Sequence, residues 1–146
     1  MTLVSAIAAG ILSLLRVGDA TADRHAMAIY SAADSLQTAS ELIVIDFRES
    51  RYLWSVERCS TTRGDGRGSF QTESHWGTLA TRCGPLPVQA KRAADAVESF
   101  PCHDDDSWCR FEWYAGLGKH QREVAERTGI VWLTRRRLEA LACVMP

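Results

Sequence analysis

Several common signatures are missing from this chain. Its five cysteines, at 59, 83, 102, 109 and 143, include no Cys-x-x-Cys pair, and its four histidines share no ligand spacing. That pattern excludes zinc fingers and ribbons. Charge of one sign is absent too: the formal net charge is −1, which argues against a dedicated nucleic-acid binder and leaves Arg135, Arg136 and Arg137 as a local basic patch. The apolar N-terminal run TLVSAIAAGILSLL falls short of the ~20 residues that cross a bilayer. Its first basic residue, Arg16, follows the apolar stretch instead of preceding it, so no clear signal peptide is visible. Internal repeats and low-complexity tracts are lacking as well.

What remains is 146 residues, 46% hydrophobic and 24% charged, enough for one globular domain with a sizeable core. Residues 1–20 read as an apolar helix, either part of the core or an atypical anchor, so membrane association stays open. Residues 21–146 form the main domain. VGDATAD, 17–23, reads as a loop with Asp19 or Thr21 as an N-cap. A long helical stretch follows from Ala22 to about Tyr52, with room for a break between Ser31 and Ser40. VQAKRAADAVESF, 88–100, is an amphipathic helix with Val88, Ala93, Ala96 or Val97, and Phe100 inward. SWCRFEWYAGL reads as a helix ended by Gly116 or Gly118. From Gln121 to Cys143 the pattern predicts two helical segments around Thr128 and Gly129.

Between Cys59 and Trp76 the character changes. Gly64, Gly66 and Gly68, with Gly77 just beyond, mix with Thr, Ser, Asp and Arg, a composition of loops or a small hairpin. The spacing allows Cys59 and Cys83 to staple this segment, and Cys102 and Cys109 to close a small loop around HDDDSW. Disulfides would imply an oxidising compartment; five buried thiols are the alternative.

The stretch FRESRY, 47–52, follows the apolar run ELIVID. At helical spacing Leu42, Ile45, Glu49, Tyr52 and Leu53 share one flank, so Glu49 projects from a mainly apolar side near a helix end. Desolvation and a helix C-terminus both favour the uncharged form of a carboxyl. Such a group can deliver a proton in general acid catalysis. The plainer reading turns Glu49 outward onto Arg48 or Arg51.

Three segments in order carry a resemblance: ESRY at 49–52, GDGRGSFQ at 64–71 and WYAGLG at 113–118. Together they resemble the lytic transglycosylase and goose-type lysozyme branch of the lysozyme-like superfamily, over about residues 35–120. The resemblance implies an α+β, mostly α fold, with a Gly-rich loop or small hairpin after the helix of the catalytic glutamate. It implies cleavage of the β-1,4 bond between N-acetylmuramic acid and N-acetylglucosamine in peptidoglycan, with Glu49 as acid and then base. Gln71, Phe70, Tyr114, Trp113 and Asp65 would bind substrate. Ser50 matches the serine after the glutamate; it is a further substrate-binding candidate, with a local helix-end hydrogen bonder as its plainer reading.

The chain departs from the family pattern in two places. Tyr114 stands where Asn is usual, with Trp113 at the Tyr position, and GDGRG replaces the commoner Gly-Ala-x-Gly. Asp65 and Glu73 are the available second carboxylates, although Asp-Gly is also a strong turn former.

The same resemblance implies no metal or organic cofactor, glycan strands as partner, a monomer, and an extracytoplasmic or phage (virion or endolysin) setting. HDDD, 103–106, reads as a solvated loop, since consecutive acids cannot all face one ion. His75 and the tryptophans at 54, 76, 108 and 132 are candidates for packing or for a sugar cleft. Two other classes compete: a lysozyme-like glycan-binding protein without catalysis, and a DNA-binding helix-turn-helix in REVAERTGIVWLTRRRLEAL, 122–141.

Overall fold

The computed structural model describes residues 18–60, 66–115 and 121–142, together with Ser5 and Ala9. Expectations for the rest of the first seventeen residues, Asp65, Gly116, Gly118, His120 and Cys143 lie outside the described residues. The chain is mostly helical. Among the described residues β pairing is confined to one isolated antiparallel bridge, Arg67 to Thr72.

Helix α1 spans Asp19–Ala32. Its N-cap is Gly18 with no side-chain cap bond, so neither Asp19 nor Thr21 caps it. Asp19 is instead the first helical residue, where its charge suits the positive end of the helix dipole. Ala22, His25, Ala26, Ile29 and Ala32 are buried at steps of three and four. The expected break is short. Ser35 opens α2, Leu36–Ser50, and its hydroxyl accepts from the Thr38 amide at 3.0 Å, satisfying one of the unpaired donors of the first turn.

Helix α2 is the centre of the molecule. Leu42, Ile43, Val44 and Ile45 are all fully buried, so apolar side chains point to every side, as a core helix requires. It packs against α1, against α5 at Leu86–Ser99 and against α7 at Gln121–Ala142. Between α2 and α5 come two one-turn helices, α3 at Trp54–Glu57 and α4 at Leu79–Arg82, and a 3-10 turn at Ser74–Trp76. Helix α6, Ser107–Ala115, lies against α7.

In α5 the inward side holds Leu86, Ala90, Ala93, Ala94, Ala96 and Val97, with Phe100 buried just beyond. Val88 is exposed, contrary to the sequence reading, because the helix starts two residues earlier with Leu86 as its first anchor. Leu53 is also exposed, 54%. The chain turns left-handed at Arg51 and Tyr52, so helical spacing no longer carries Leu53 onto the flank of Leu42 and Ile45.

Both proposed disulfides are formed, Cys59–Cys83 and Cys102–Cys109. The first ties the end of α3 to the end of α4 and closes the Gly-rich segment into a loop. In the chain-entropy model a closure of this length contributes about 3.5 kcal/mol. Disulfides persist in oxidising compartments. No described helix is long and apolar enough to cross a membrane.

Residues 121–142 form one helix, not two segments around Thr128 and Gly129. The helix-turn-helix reading therefore lacks its turn. Val124, Val131 and Leu138 are buried along a single seven-residue repeat that runs straight past Gly129. A Cβ built on Gly129 meets nothing within 4 Å. Gly129→Ala should accordingly raise stability by about 1 kcal/mol, the helix-propensity difference between the two residues, as read from the urea unfolding midpoint. A fall in stability would point to a turn at this position.

Candidate active site at the C-terminal end of helix α2

The end of α2 is built from backbone in an uncommon conformation. Arg51, at φ 51°, and Tyr52, at φ 57°, are both left-handed, at a cost of roughly 1–2 kcal/mol each for residues with a Cβ. Hydrogen bonds hold them there. The Ser50 hydroxyl accepts from the Tyr52 amide at 2.9 Å and lies 2.8 Å from both the carbonyl and Oδ1 of Asp46. Asp46 Oδ2 lies 2.5 Å from Nδ1 of the fully buried His25. Tyr52 is buried and donates to the Ile43 carbonyl at 3.2 Å. Burial, and then the Asp46 carboxylate, push its phenol well above the usual tyrosine range. Ser50 is thus a helix-end hydrogen bonder, as its sequence position suggests.

Glu49 sits in the last turn of this braced helix with its side chain 22% exposed. Its partner is neither Arg48 nor Arg51. Arg48 pairs across to Glu126 at 3.3 Å, and Arg51 is the exposed cap residue. Glu49 Oε1 instead accepts from Nη2 of Arg127, on α7, at 2.6 Å. The same nitrogen donates to Glu123 Oε1, also at 2.6 Å. Burial opposes the charge on Arg127, but the two carboxylates outweigh it and hold the guanidinium more firmly protonated than an ordinary arginine. The immediate company of Glu49 is therefore more polar than its apolar flank suggests.

The second motif forms a tight turn beside this point. The Arg67–Thr72 bridge closes it, and Phe70 is buried as its plug. Gly68, at φ +72°, is required twice over: its conformation suits glycine, and a Cβ there would lie 2.2 Å from the Arg82 carbonyl and 2.3 Å from Gln89 Oε1. Gln89 Oε1 accepts from the Ser69 amide at 2.7 Å, while its Nε2 donates to the Gly84 carbonyl at 2.7 Å. Gln71, at φ 49°, folds its amide back to donate to the Gly68 carbonyl at 2.8 Å. Its donor side thus serves the turn.

Tyr114, from α6, joins the pieces. Its hydroxyl donates to the Phe70 carbonyl. Burial pushes the phenol well above its usual range, the nearby Glu49 carboxylate raises it further, and Arg127 offsets part of the effect. Tyr114 thus bonds the turn that holds Phe70 and lies close enough to Glu49 to feel its charge, linking one residue from each motif.

Trp113 lies in a separate aromatic row. It stacks on Phe100 at 5.9 Å, and Phe100 meets the edge of Trp76 at 5.4 Å, with His75 beyond. Trp113 and His75 are exposed. Glu73 is exposed and pairs with His75 at 3.5 Å, but it lies near enough for Tyr114 to feel its charge. Trp54, Trp108 and Trp132 are exposed away from the core. Asp106, of HDDD, caps α6 by accepting from the Cys109 amide at 2.9 Å. Among the described residues no three His, Cys, Asp or Glu side chains are grouped to hold a metal ion.

Sequence reasoning missed Arg127 and Glu123. Their i,i+4 spacing is a visible helix pair, but nothing in the chain shows that they face a glutamate 78 residues away from Arg127. Comparison with protein-family models, with curated proteins and with solved structures finds no match. The turn itself can be tested: Gly68→Ala should lower stability by roughly 2–5 kcal/mol, combining left-handed strain with overpacking, in a urea titration. A change within about 0.5 kcal/mol of zero would mean that the turn is not packed as described.

Proposed function

We propose that this chain is a lysozyme-like domain that cuts the β-1,4 bond between N-acetylmuramic acid and N-acetylglucosamine in peptidoglycan. The convergence of Glu49, the 66–72 turn and Tyr114 carries the reading. Three segments far apart in sequence meet through the Tyr114–Phe70 hydrogen bond and the proximity of Tyr114 to Glu49.

In this reaction Glu49 gives its proton to the glycosidic oxygen as the bond to the anomeric carbon breaks. It then takes a proton from the attacking hydroxyl, which belongs either to water or to the sugar's own 6-position, the latter leaving an anhydro end. Tyr114 and the bridge at Arg67–Thr72 fix the turn. Phe70 anchors that turn from beneath, and the Gln71 carboxamide, lying along its edge, is the group closest in kind to sugar hydroxyls and N-acetyl groups. The exposed faces of Trp113 and His75 offer stacking surfaces for sugar rings. The two disulfides support an extracytoplasmic setting, secreted or carried by a phage particle.

A second reading is favoured by one observation. Glu49 is already ion-paired and the Gln71 donor is already used, as in a glycan-binding domain that has lost catalysis. Incubation with purified peptidoglycan sacculi separates the two. The catalytic reading expects soluble muropeptides, with mass spectrometry showing whether the product is lighter by one water. Glu49→Gln should keep the wild-type circular dichroism spectrum and lose activity by at least about 100-fold. Binding to sacculi with no release by either protein would favour the second reading; full turnover by the variant would remove Glu49 from the mechanism.

A further inference from the structure

We infer that Arg127 is a positioning residue for Glu49: its guanidinium is shared with Glu123 so that it can withdraw from Glu49 when that carboxyl must carry a proton. The inference rests on the catalytic reading of Glu49. Three observations support it. A single nitrogen, Nη2, serves both carboxylates at 2.6 Å. The Arg127 side chain is only 6% exposed, so solvent cannot easily replace a lost anionic partner. Glu123 stands four residues earlier on the same helix, so a shift toward it needs side-chain rotation and no backbone movement.

The chemistry gives the arrangement a direction. A carboxylate beside a guanidinium favours the charged form, which is the form a catalytic base needs and an acid does not. With one anionic partner, Arg127 would stay fixed on Glu49. With two, it keeps a charged partner after letting Glu49 go. Glu49 then accepts a proton from solvent and passes it to the glycosidic oxygen; in the second half of the reaction it takes one from the attacking hydroxyl, and as the product leaves it returns that proton to solvent and the ion pair re-forms.

Tyr114 from α6 feels the Glu49 charge together with those of Arg127, Asp46 and Glu73; the Arg48–Glu126 pair joins α2 to α7 one residue before Glu49, and Asp46 on the same helix is paired with His25. Among the described residues, Arg127 is the group that hydrogen-bonds the Glu49 carboxylate.

The test follows the Glu49 carboxyl carbon by ¹³C NMR across a pH titration of the full chain, assigned by its absence in Glu49→Gln. Wild type is compared with Arg127→Met and Glu123→Gln. Removing the guanidinium should move the Glu49 midpoint to higher pH. Removing the competing carboxylate leaves Arg127 wholly on Glu49 and should move it to lower pH. The alkaline limb of turnover on sacculi should shift in the same two directions.

An Arg127 that only packs α7 on α2, without acting on the carboxyl, would leave the Glu49 midpoint where it is. Midpoints that stay in place, or move together, would overturn the inference. Should Arg127→Met fail to fold, the downward shift in Glu123→Gln decides alone, and its absence is equally fatal. Divergent midpoints with no release of muropeptides by the wild type would instead defeat the catalytic reading, and the positioning role with it.

Discussion

The site depends on the way α2 ends. A helix whose Leu42, Ile43, Val44 and Ile45 are all enclosed cannot shift along its axis without opening the core. Its last turn is therefore fixed in space before any polar contact is counted. Two left-handed residues come next, a sharp exit that would be unfavourable without the bonds from Ser50 and the packing of Tyr52. Asp46 and His25 stand behind Ser50, so the brace reaches from α1 to the chain exit. Glu49 is placed by its two neighbours in sequence: the enclosed run before it and the tightly held turn after it.

A second polar network lies deeper in the interior. Glu41 is completely buried, yet it accepts from Arg110 at 2.9 Å, Ser107 at 2.6 Å and Gln37 at 2.7 Å. Gln37 in turn accepts from Arg135 at 2.7 Å. This network joins α2 to α6 and α7. Buried ion pairs add little net stability, because desolvation offsets the Coulomb gain. Removing one partner is costly nonetheless, by several kcal/mol, since the other charge is stranded. The network therefore acts chiefly on register: α6 and α7 can meet α2 in one alignment. That alignment brings both Tyr114 and Arg127 to the end of α2.

Much of this was legible in the chain. The period of α2 puts Glu49 near a helix end, α5 is a clear amphipathic pattern, and cysteine spacing suggests the two pairs that form. The failures have physical causes. Gly129 reads as a stop, but an interior glycine costs a helix only about 1 kcal/mol, and the buried Val124, Val131 and Leu138 outweigh that. Leu53 follows the periodicity only if the helix continues, and two left-handed residues cancel it. Arg127 was invisible for a deeper reason. Local pattern can identify a Glu-Arg pair on a helix, but which distant carboxylate the arginine also meets is decided by the packing of α7 on α2.

An ion pair on Glu49 is, on its face, opposed to acid catalysis, and magnitudes decide the matter. A hydrogen bond to a charged group is worth roughly 1.5–3 kcal/mol. Losing both carboxylates would leave a nearly enclosed guanidinium unpaired, a penalty of several kcal/mol that would demand much of any ligand. Losing Glu49 alone costs one such bond while Glu123 keeps the charge paired. On the catalytic reading proposed above, a glycan strand spanning several sugars against exposed aromatic faces would supply that amount, since interactions with remote parts of a substrate can offset work done at the reacting bond. Under that proposal, the second carboxylate is what makes a resting ion pair compatible with a proton donor. With Glu123 absent, the same arginine would favour a site that binds and does not cut.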